Sequence, residues 1–342
     1  MTDSTPIFPV PAPPPIPAAK EQSNISFMQN ILDRAAAGAQ SVTDEFDDLC
    51  PAPKELPENY MINGYRLIKC IGEGGFGVTY LASDELLNRK VVIKENFPHS
   101  LCKRRNRTLD VVRQSHVEQE SCDWAMSNFL REVRLLATLD HPNIVKIYSF
   151  FEAHQTAYYV TEYIDGKCLA DVIYDYKKHL NHIPQDDLYS MMVRVLDALD
   201  YLHSRNILHL DIKPDNILVT RDGRPVLIDM GAARERNADA STAVVESQGY
   251  SPPEQGENTS QLGPWTDLYA FGATLYYLLT GNTPAAGRQR MLYDTLDPLA
   301  SIPKLTAIYH PQLLASIDKA LNPNIEGRYQ SVREWIHDLR AR

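Results

Sequence analysis

The segment Gly72-Glu-Gly-Gly-Phe-Gly77 constrains the fold of this chain more than any other stretch. It lies between two β-prone runs, Tyr65-Arg-Leu-Ile-Lys-Cys-Ile71 and Val78-Thr-Tyr-Leu81. The GxGxxG spacing alone is shared with dinucleotide-binding turns, where a helix opens at the third glycine. Here a strand follows, so the loop joins two antiparallel strands and lies over phosphates as a flap. Gly72, Gly74, Gly75 and Gly77 suit that place because a Cβ blocks the approach of backbone N–H groups to phosphate oxygens. A strand-to-helix phosphate loop is excluded, since no GxxxxGK(S/T) string occurs.

The next apolar run, Val91-Val-Ile-Lys94, ends on an ammonium. A lysine placed at a sheet face to meet α- and β-phosphates needs an acidic partner to hold it. Glu132 is the best candidate: it lies in the helical run Phe129-Leu-Arg-Glu-Val-Arg-Leu-Leu136, where Phe129, Val133 and Leu136 supply an apolar face. Glu118 and Glu120 lack that face. Beyond this point helical periodicity dominates, over 188–203, 269–280 and 313–321. Strands first and helices afterwards specify an α+β fold in two lobes.

Composition narrows the class. With 44% hydrophobic and 23% charged residues the chain can build a core, and no run reaches the roughly 18–20 apolar residues of a membrane span. A formal charge of −10 disfavours nucleic acid and anionic membrane as main partners. Five cysteines (Cys50, Cys70, Cys102, Cys122, Cys168), scattered and without CxxC spacing, argue against a disulfide framework or zinc site and favour a reducing cytoplasm. No secretory signal is expected at MTDSTPIFPV. Delivery out of the cell as a secreted effector stays open.

Residues 1–62 read as a disordered, proline-rich and acidic tail with a short amphipathic helix at 26–37. Pro6, Pro9, Pro11, Pro13, Pro14, Pro15 and Pro17 favour extended backbone, and their PxxP spacings are either a solvated spacer or a docking arm. Asp44, Glu45, Asp47 and Asp48 form an acidic cluster further on. Between Lys94 and Glu132 the basic residues Lys103, Arg104, Arg105 and Arg107 allow two readings: a solvated loop, or a docking patch for an acidic partner or for that cluster.

Downstream come His209-Leu-Asp-Ile-Lys-Pro-Asp-Asn216 and Val226-Leu-Ile-Asp-Met-Gly231, then Ser251-Pro-Pro-Glu254, Asp267-Leu-Tyr-Ala-Phe-Gly272 and Arg328. In this order they resemble the catalytic loop HRDxxxxN, the metal-binding DFG, the APE motif, the central-helix DxxxxG and the arginine that pairs with the APE glutamate of protein kinases. Lys94-Glu-Asn-Phe-Pro98, Gly249-Tyr-Ser-Pro-Pro-Glu-Gln255 and Gly263-Pro-Trp-Thr-Asp267 resemble the bacterial, eukaryotic-like serine/threonine branch. The resemblance spans about residues 64–340.

It implies a bilobal protein-kinase domain over 63–342, with a β-rich N-lobe at 63–161 and an α-helical C-lobe at 162–342. The implied activity is ATP-dependent phosphorylation of serine and threonine on protein substrates, autophosphorylation included. Asp211 would accept the substrate proton, Lys213 steady the γ-phosphate, and Asn216 and Asp229 hold Mg2+, with Mn2+ as an alternative. Lys94 with Glu132 would position ATP. The nucleotide would lie among Gly72, Gly74, Gly75, Phe76, Gly77, Thr79, Val92, Thr161 as gatekeeper, Glu162, Ile164, Cys168 and Leu218. Lys167 beside Cys168 could lower its thiol pKa, against the alternative of an ordinary cysteine.

Departures from the pattern carry their own expectations. Leu210 replaces the arginine of HRD, Met230 the phenylalanine of DFG, Val92 the alanine of VAIK and Pro252 the alanine of APE. Met230 should fill a hydrophobic spine through Leu136, Ile147 and His209. Leu210 removes the cation that an activation-loop phosphate would neutralise, so activity without that phosphate is expected. Ser247 is expected to bond near Asp211 and Lys213. Two rivals, a binding scaffold without activity and a small-molecule kinase of the same fold, are disfavoured by the joint presence of Lys94, Asp211, Asn216 and Asp229, and by the segment 247–254.

Overall fold

The computed structural model describes residues 54–340 apart from 76, 180–181, 236–245 and 258–260. The proline-rich run, the helix expected at 26–37, the acidic cluster, Cys50, Phe76, Ser241 and Thr242 lie outside these residues.

The first lobe is built on β1 (Met61–Ile62), β2 (Tyr65–Gly74), β3 (Gly77–Asp84) and β4 (Arg89–Asn96). A short hairpin of β5 (Cys102–Arg104) and β6 (Val111–Arg113), then helix α1 (Gln119–Ala137), interrupt the sheet before β7 (Ile147–Ala153) and β8 (Thr156–Glu162) complete it. The antiparallel order is β1-β2-β3-β4-β8-β7. Strand alternation divides β4 between two environments. Val91 and Ile93 enter an upper core with Val78, Tyr80, Ala82, Tyr158 and Val160, while Val92 and Lys94 take the opposite face. Register then fixes two cross-strand rows, Leu81–Val92–Thr161 and Thr79–Lys94–Tyr159.

The same alternation sends Glu95 inward, and a buried carboxylate requires a partner. Arg104 of β5 provides it, with Nη2 2.7 Å from Glu95 Oε2 and both side chains fully buried. Tyr80 and Tyr158 donate to the same carboxylate at 2.8 and 2.5 Å, and Arg104 also donates to the carbonyls of Lys54 and Leu109. Of the basic run at 103–107, Lys103 and Arg104 lie in the first strand of the hairpin and Arg105 and Arg107 in the connection to β6. Arg104 is a core residue, belonging to neither a solvated loop nor a docking patch.

The second lobe follows as β9 (Gly166–Cys168), α2 (Leu169–His179), α3 (Gln185–His203), β10 (Ile207–Leu208), β11 (Ile217–Thr220), β12 (Pro225–Leu227) and β13 (Arg234–Glu235). Helices α4 (Pro253–Glu257), α5 (Pro264–Thr280), α6 (Gly287–Leu292), α7 (Pro303–Thr306), α8 (Pro311–Ala320) and α9 (Val332–Arg340) complete it. Helix α5 buries every side chain from Thr266 to Tyr276, the signature of a central helix rather than an amphipathic surface one. It stops at Gly281, whose φ of +84° supplies the left-handed cap and whose amide bonds Tyr277 O at 2.8 Å. This two-lobed α+β arrangement is the one expected from the order of strands and helices. No helix among the described residues is long and apolar enough to cross a membrane.

Candidate active site

Lys94 lies where the lobes meet. Its Nζ is 3.0 Å from Glu132 Oε1 on α1 and 3.2 Å from Asp229 Oδ1, just past β12. Glu132 belongs to the buried stripe of α1 with Phe129, Val133 and Leu136, so the helix packing that buries the stripe also delivers the carboxylate. Tyr159, cross-strand from Lys94, donates to Glu132 Oε1 at 2.7 Å. Sequence reasoning did not single out Tyr159; only the β4–β8 register identifies it. Glu118 and Glu120, the weaker candidates, are exposed.

One ammonium thus serves two carboxylates. Burial opposes the Lys94 charge, but Asp229 and Glu132 outweigh it and hold its pKa well above the usual lysine value. The Lys94 charge in turn holds the Asp229 carboxyl below its ordinary range, helped by the Gly231 amide at 3.0 Å. Burial pushes Glu132 up despite Lys94.

Asp211 is gripped from three directions. Oδ2 accepts from Lys213 Nζ and from Asn216 Nδ2, each at 2.8 Å, and Oδ1 accepts from Ser247 Oγ at 2.5 Å. Lys213 Nζ also lies 3.1 Å from Ser247 Oγ. The backbone that carries this group is strained: Leu210 has φ +63°, a left-handed conformation costly for a Cβ-bearing residue. Asp267 at the start of α5 holds it, accepting from the amides of His209 and Leu210 at 2.9 and 2.8 Å and from His203 Nε2 at 2.8 Å. Gln255 fixes the Leu210 carbonyl at 2.6 Å. Leu210 itself is buried with Leu208 and Leu262. Leu136, Met230 and His209 are buried in the core, and Ile147 packs against that core.

Where the lobes meet, Val92 is cross-strand from the buried Thr161, Ile164 is buried, and Leu218 is cross-strand from Cys168. Glu162 turns its carboxylate back to the Lys146 amide at 2.9 Å. The glycine hairpin closes at Gly74 opposite Gly77. Gly72, Gly74 and Gly75 have room for a methyl group, whereas a Cβ at Gly77 would come within 2.2 Å of Glu95 O. At Gly77 the requirement is thus the neighbouring strand β4, a different reason from phosphate approach.

The expectation that Lys167 activates Cys168 is corrected. Lys167 Nζ is 2.6 Å from Asp175 Oδ2, while the Cys168 thiol donates to Asp171 Oδ2 at 3.3 Å. Burial, together with that acidic neighbour, pushes the thiol pKa up. Glu254 and Arg328 form a buried bidentate pair at 2.7 and 3.1 Å, and Thr266 donates to the same carboxylate at 3.1 Å.

The donor set suits a hard divalent cation. Asn216 commits its amide nitrogen to Asp211 and Asp229 commits Oδ1 to Lys94 and Gly231. Among the described residues this leaves Asn216 Oδ1 and Asp229 Oδ2 without protein donors, two neutral or anionic oxygens of the kind magnesium takes alongside phosphate.

Comparison with known proteins agrees with this geometry. The family described as protein kinase domain matches residues 65–331. Serine/threonine-protein kinase PknA of Nostoc sp. (strain PCC 7120) is 30% identical over 295 residues, covering 82% of this chain and 48% of its own length. The probable serine/threonine-protein kinase PknB of Bifidobacterium longum is 31% identical over 293 residues, with 80% and 39% covered. Among solved structures, "PpkA-294 apo form" superposes with a TM-score of 0.73 at 32% identity, covering 84% of this chain and 100% of that one. The chain spans about half or less of the length of these two kinases.

Proposed function

The chain belongs to the protein kinase family, and from that premise we propose that it is a serine/threonine protein kinase, transferring the γ-phosphoryl group of ATP to hydroxyls of protein substrates and of itself. The observation that carries this reading is the Asp211 carboxylate, oriented by Lys213, Asn216 and Ser247 beside the Lys94–Glu132–Asp229 cluster.

In this reading Lys94 takes α- and β-phosphate oxygens while Glu132 and Tyr159 keep its ammonium in place. The adenine fills the slot between Val92 and Leu218, under the control of Thr161 as gatekeeper. The backbone of Glu162 and Ile164 offers hydrogen bonds, Cys168 lies toward the ribose, and the glycine hairpin with Phe76 and Thr79 covers the phosphates. Asp211 orients the acceptor oxygen and takes its proton as the bond to the γ-phosphorus forms and the bond to the β-bridging oxygen breaks. Lys213 neutralises charge on the moving group. Asn216 and Asp229 would hold magnesium, or manganese, which supplies charge neutralisation across the phosphates. Substrate proteins would lie along 247–254. The proline-rich tail and the exposed part of the 103–107 hairpin are the segments we propose for partner docking, and the reading places the protein in the cytoplasm, without nucleic acid.

Incubation of purified protein with labelled ATP and magnesium, with and without generic protein substrates, tests this. Label on serine and threonine is expected. A protein that binds ATP yet incorporates none would instead be a scaffold, and the proposal would fail.

A further inference from the structure

Two cysteines far apart in sequence meet at the back of the first lobe. Cys102 opens strand β5 and Cys122 is the fourth residue of α1; their sulfurs are 4.0 Å apart and both residues are half-buried. A disulfide needs a sulfur separation of about 2.05 Å, roughly 2 Å less than the two thiols show.

The neighbourhood gives such a bond a consequence. The N-terminus of α1 is sparsely packed: Glu118 at the cap position makes no side-chain cap bond, and no side chain from Gln119 to Trp124 is buried, the first being Ala125. The hairpin opposite is firmly held, through Arg104 on Glu95 and through Gln114, which bonds the carbonyls of His99 and Cys102. Glu132 lies ten residues beyond Cys122, about 15 Å along the helix.

We propose that Cys102 and Cys122 form a reversible disulfide that ties the first turn of α1 to the β5–β6 hairpin and thereby holds the helix in the position where Glu132 meets Lys94. The chemistry balances with a peroxide as oxidant. The Cys122 thiol and one hydrogen peroxide give a sulfenic acid and water; the Cys102 sulfur then attacks the Cys122 sulfur, expelling a second water and forming the S–S bond. Cys122 reacts first because it is the less buried thiol and the Cys102 hydrogen bond, with Arg113, offsets part of the rise in its pKa that burial causes, whereas burial pushes Cys102 up to about 12. Formation therefore accelerates as pH rises.

The experiment uses the full chain and does not depend on kinase activity. The protein is treated with hydrogen peroxide under native conditions, free thiols are alkylated, and peptides are mapped without reduction. The expected result is a peptide pair linked through Cys102 and Cys122, with Cys50, Cys70 and Cys168 alkylated, reversed by dithiothreitol. Amide exchange over 119–125 should slow at least about threefold on oxidation, as expected when local opening is suppressed. Both effects should vanish in Cys122→Ser and in Cys102→Ser, either of which suffices if its Tm shows it folded. Sulfinic acid or mixed oxidation on Cys122 without a link, or a link that leaves exchange over 119–125 unchanged, overturns the proposal.

Discussion

Ser247 donates its hydroxyl to Asp211 Oδ1 at 2.5 Å, occupying the carboxylate oxygen that Lys213 and Asn216 leave free. A hydrogen bond to a charged group contributes about 1.5–3 kcal/mol. Ser247→Ala should therefore lower turnover by roughly ten- to a hundredfold with little change in KM for ATP, and Ser247→Thr should retain most activity. Steady-state kinetics decide it, and unchanged turnover in the alanine variant would show the contact to be incidental.

Leu210 occupies an apolar pocket with Leu208 and Leu262 under the Asp211 loop, where an arginine would bury an uncompensated charge. Leu210→Arg should cost about 3–5 kcal/mol in denaturant unfolding. Because the natural residue carries no charge, phosphatase-treated protein should phosphorylate a peptide without a lag. Ser241→Ala with Thr242→Ala should change turnover by less than about tenfold, under about 1.4 kcal/mol in barrier. A long lag abolished by prior autophosphorylation would show that a phosphate switch operates despite Leu210.

Much of the site was legible because its chemistry is written in short, rigid strings. Residues 209–216 and 229–231 lie on one loop system each, so spacing alone brings Asp211, Lys213 and Asn216 together. Glu132 was legible through the apolar stripe around it, and the Glu254–Arg328 pair through family resemblance. What stayed hidden depends on how distant segments lie across each other. Arg104 looks like one of several solvated cations until the hairpin folds it onto Glu95, and Tyr159 gains its role only from the β4–β8 register. Cys102 and Cys122 carry no recognisable spacing. For Gly77 the sequence suggests phosphate approach as the reason for glycine, and the fold adds one that only the β3–β4 pairing reveals, since the Glu95 carbonyl excludes a side chain there.

Arg104 tests the hidden part directly. Arg104→Met leaves Glu95 buried with only tyrosine partners and should destabilise the fold by about 3–5 kcal/mol in urea or guanidinium titrations, while Arg104→Met with Glu95→Gln should recover part of that loss. A loss below about 1 kcal/mol would mean that the hairpin is not a structural part of the lobe.

Asp229 gives a pH signature. Its folded pKa is depressed by Lys94, so its contribution to stability is fully present above its unfolded value, about 3.9, and is lost only as pH falls through the lower folded value. The difference in Tm between the natural protein and Asp229→Asn should stay constant between about pH 5 and 8 and shrink below about pH 4. A difference that already varies across neutral pH would assign the titration to another group.

The most direct test of the account compares Asp211→Asn with the natural protein in one preparation, measuring nucleotide binding and initial phosphorylation rate together. Asparagine preserves the shape and removes the proton acceptor. The account predicts ATP affinity within a few-fold of the natural protein and turnover lower by about two to four orders of magnitude. Undiminished phosphorylation by Asp211→Asn would contradict it, since the carboxylate that Lys213, Asn216 and Ser247 orient would then not be the group that receives the substrate proton.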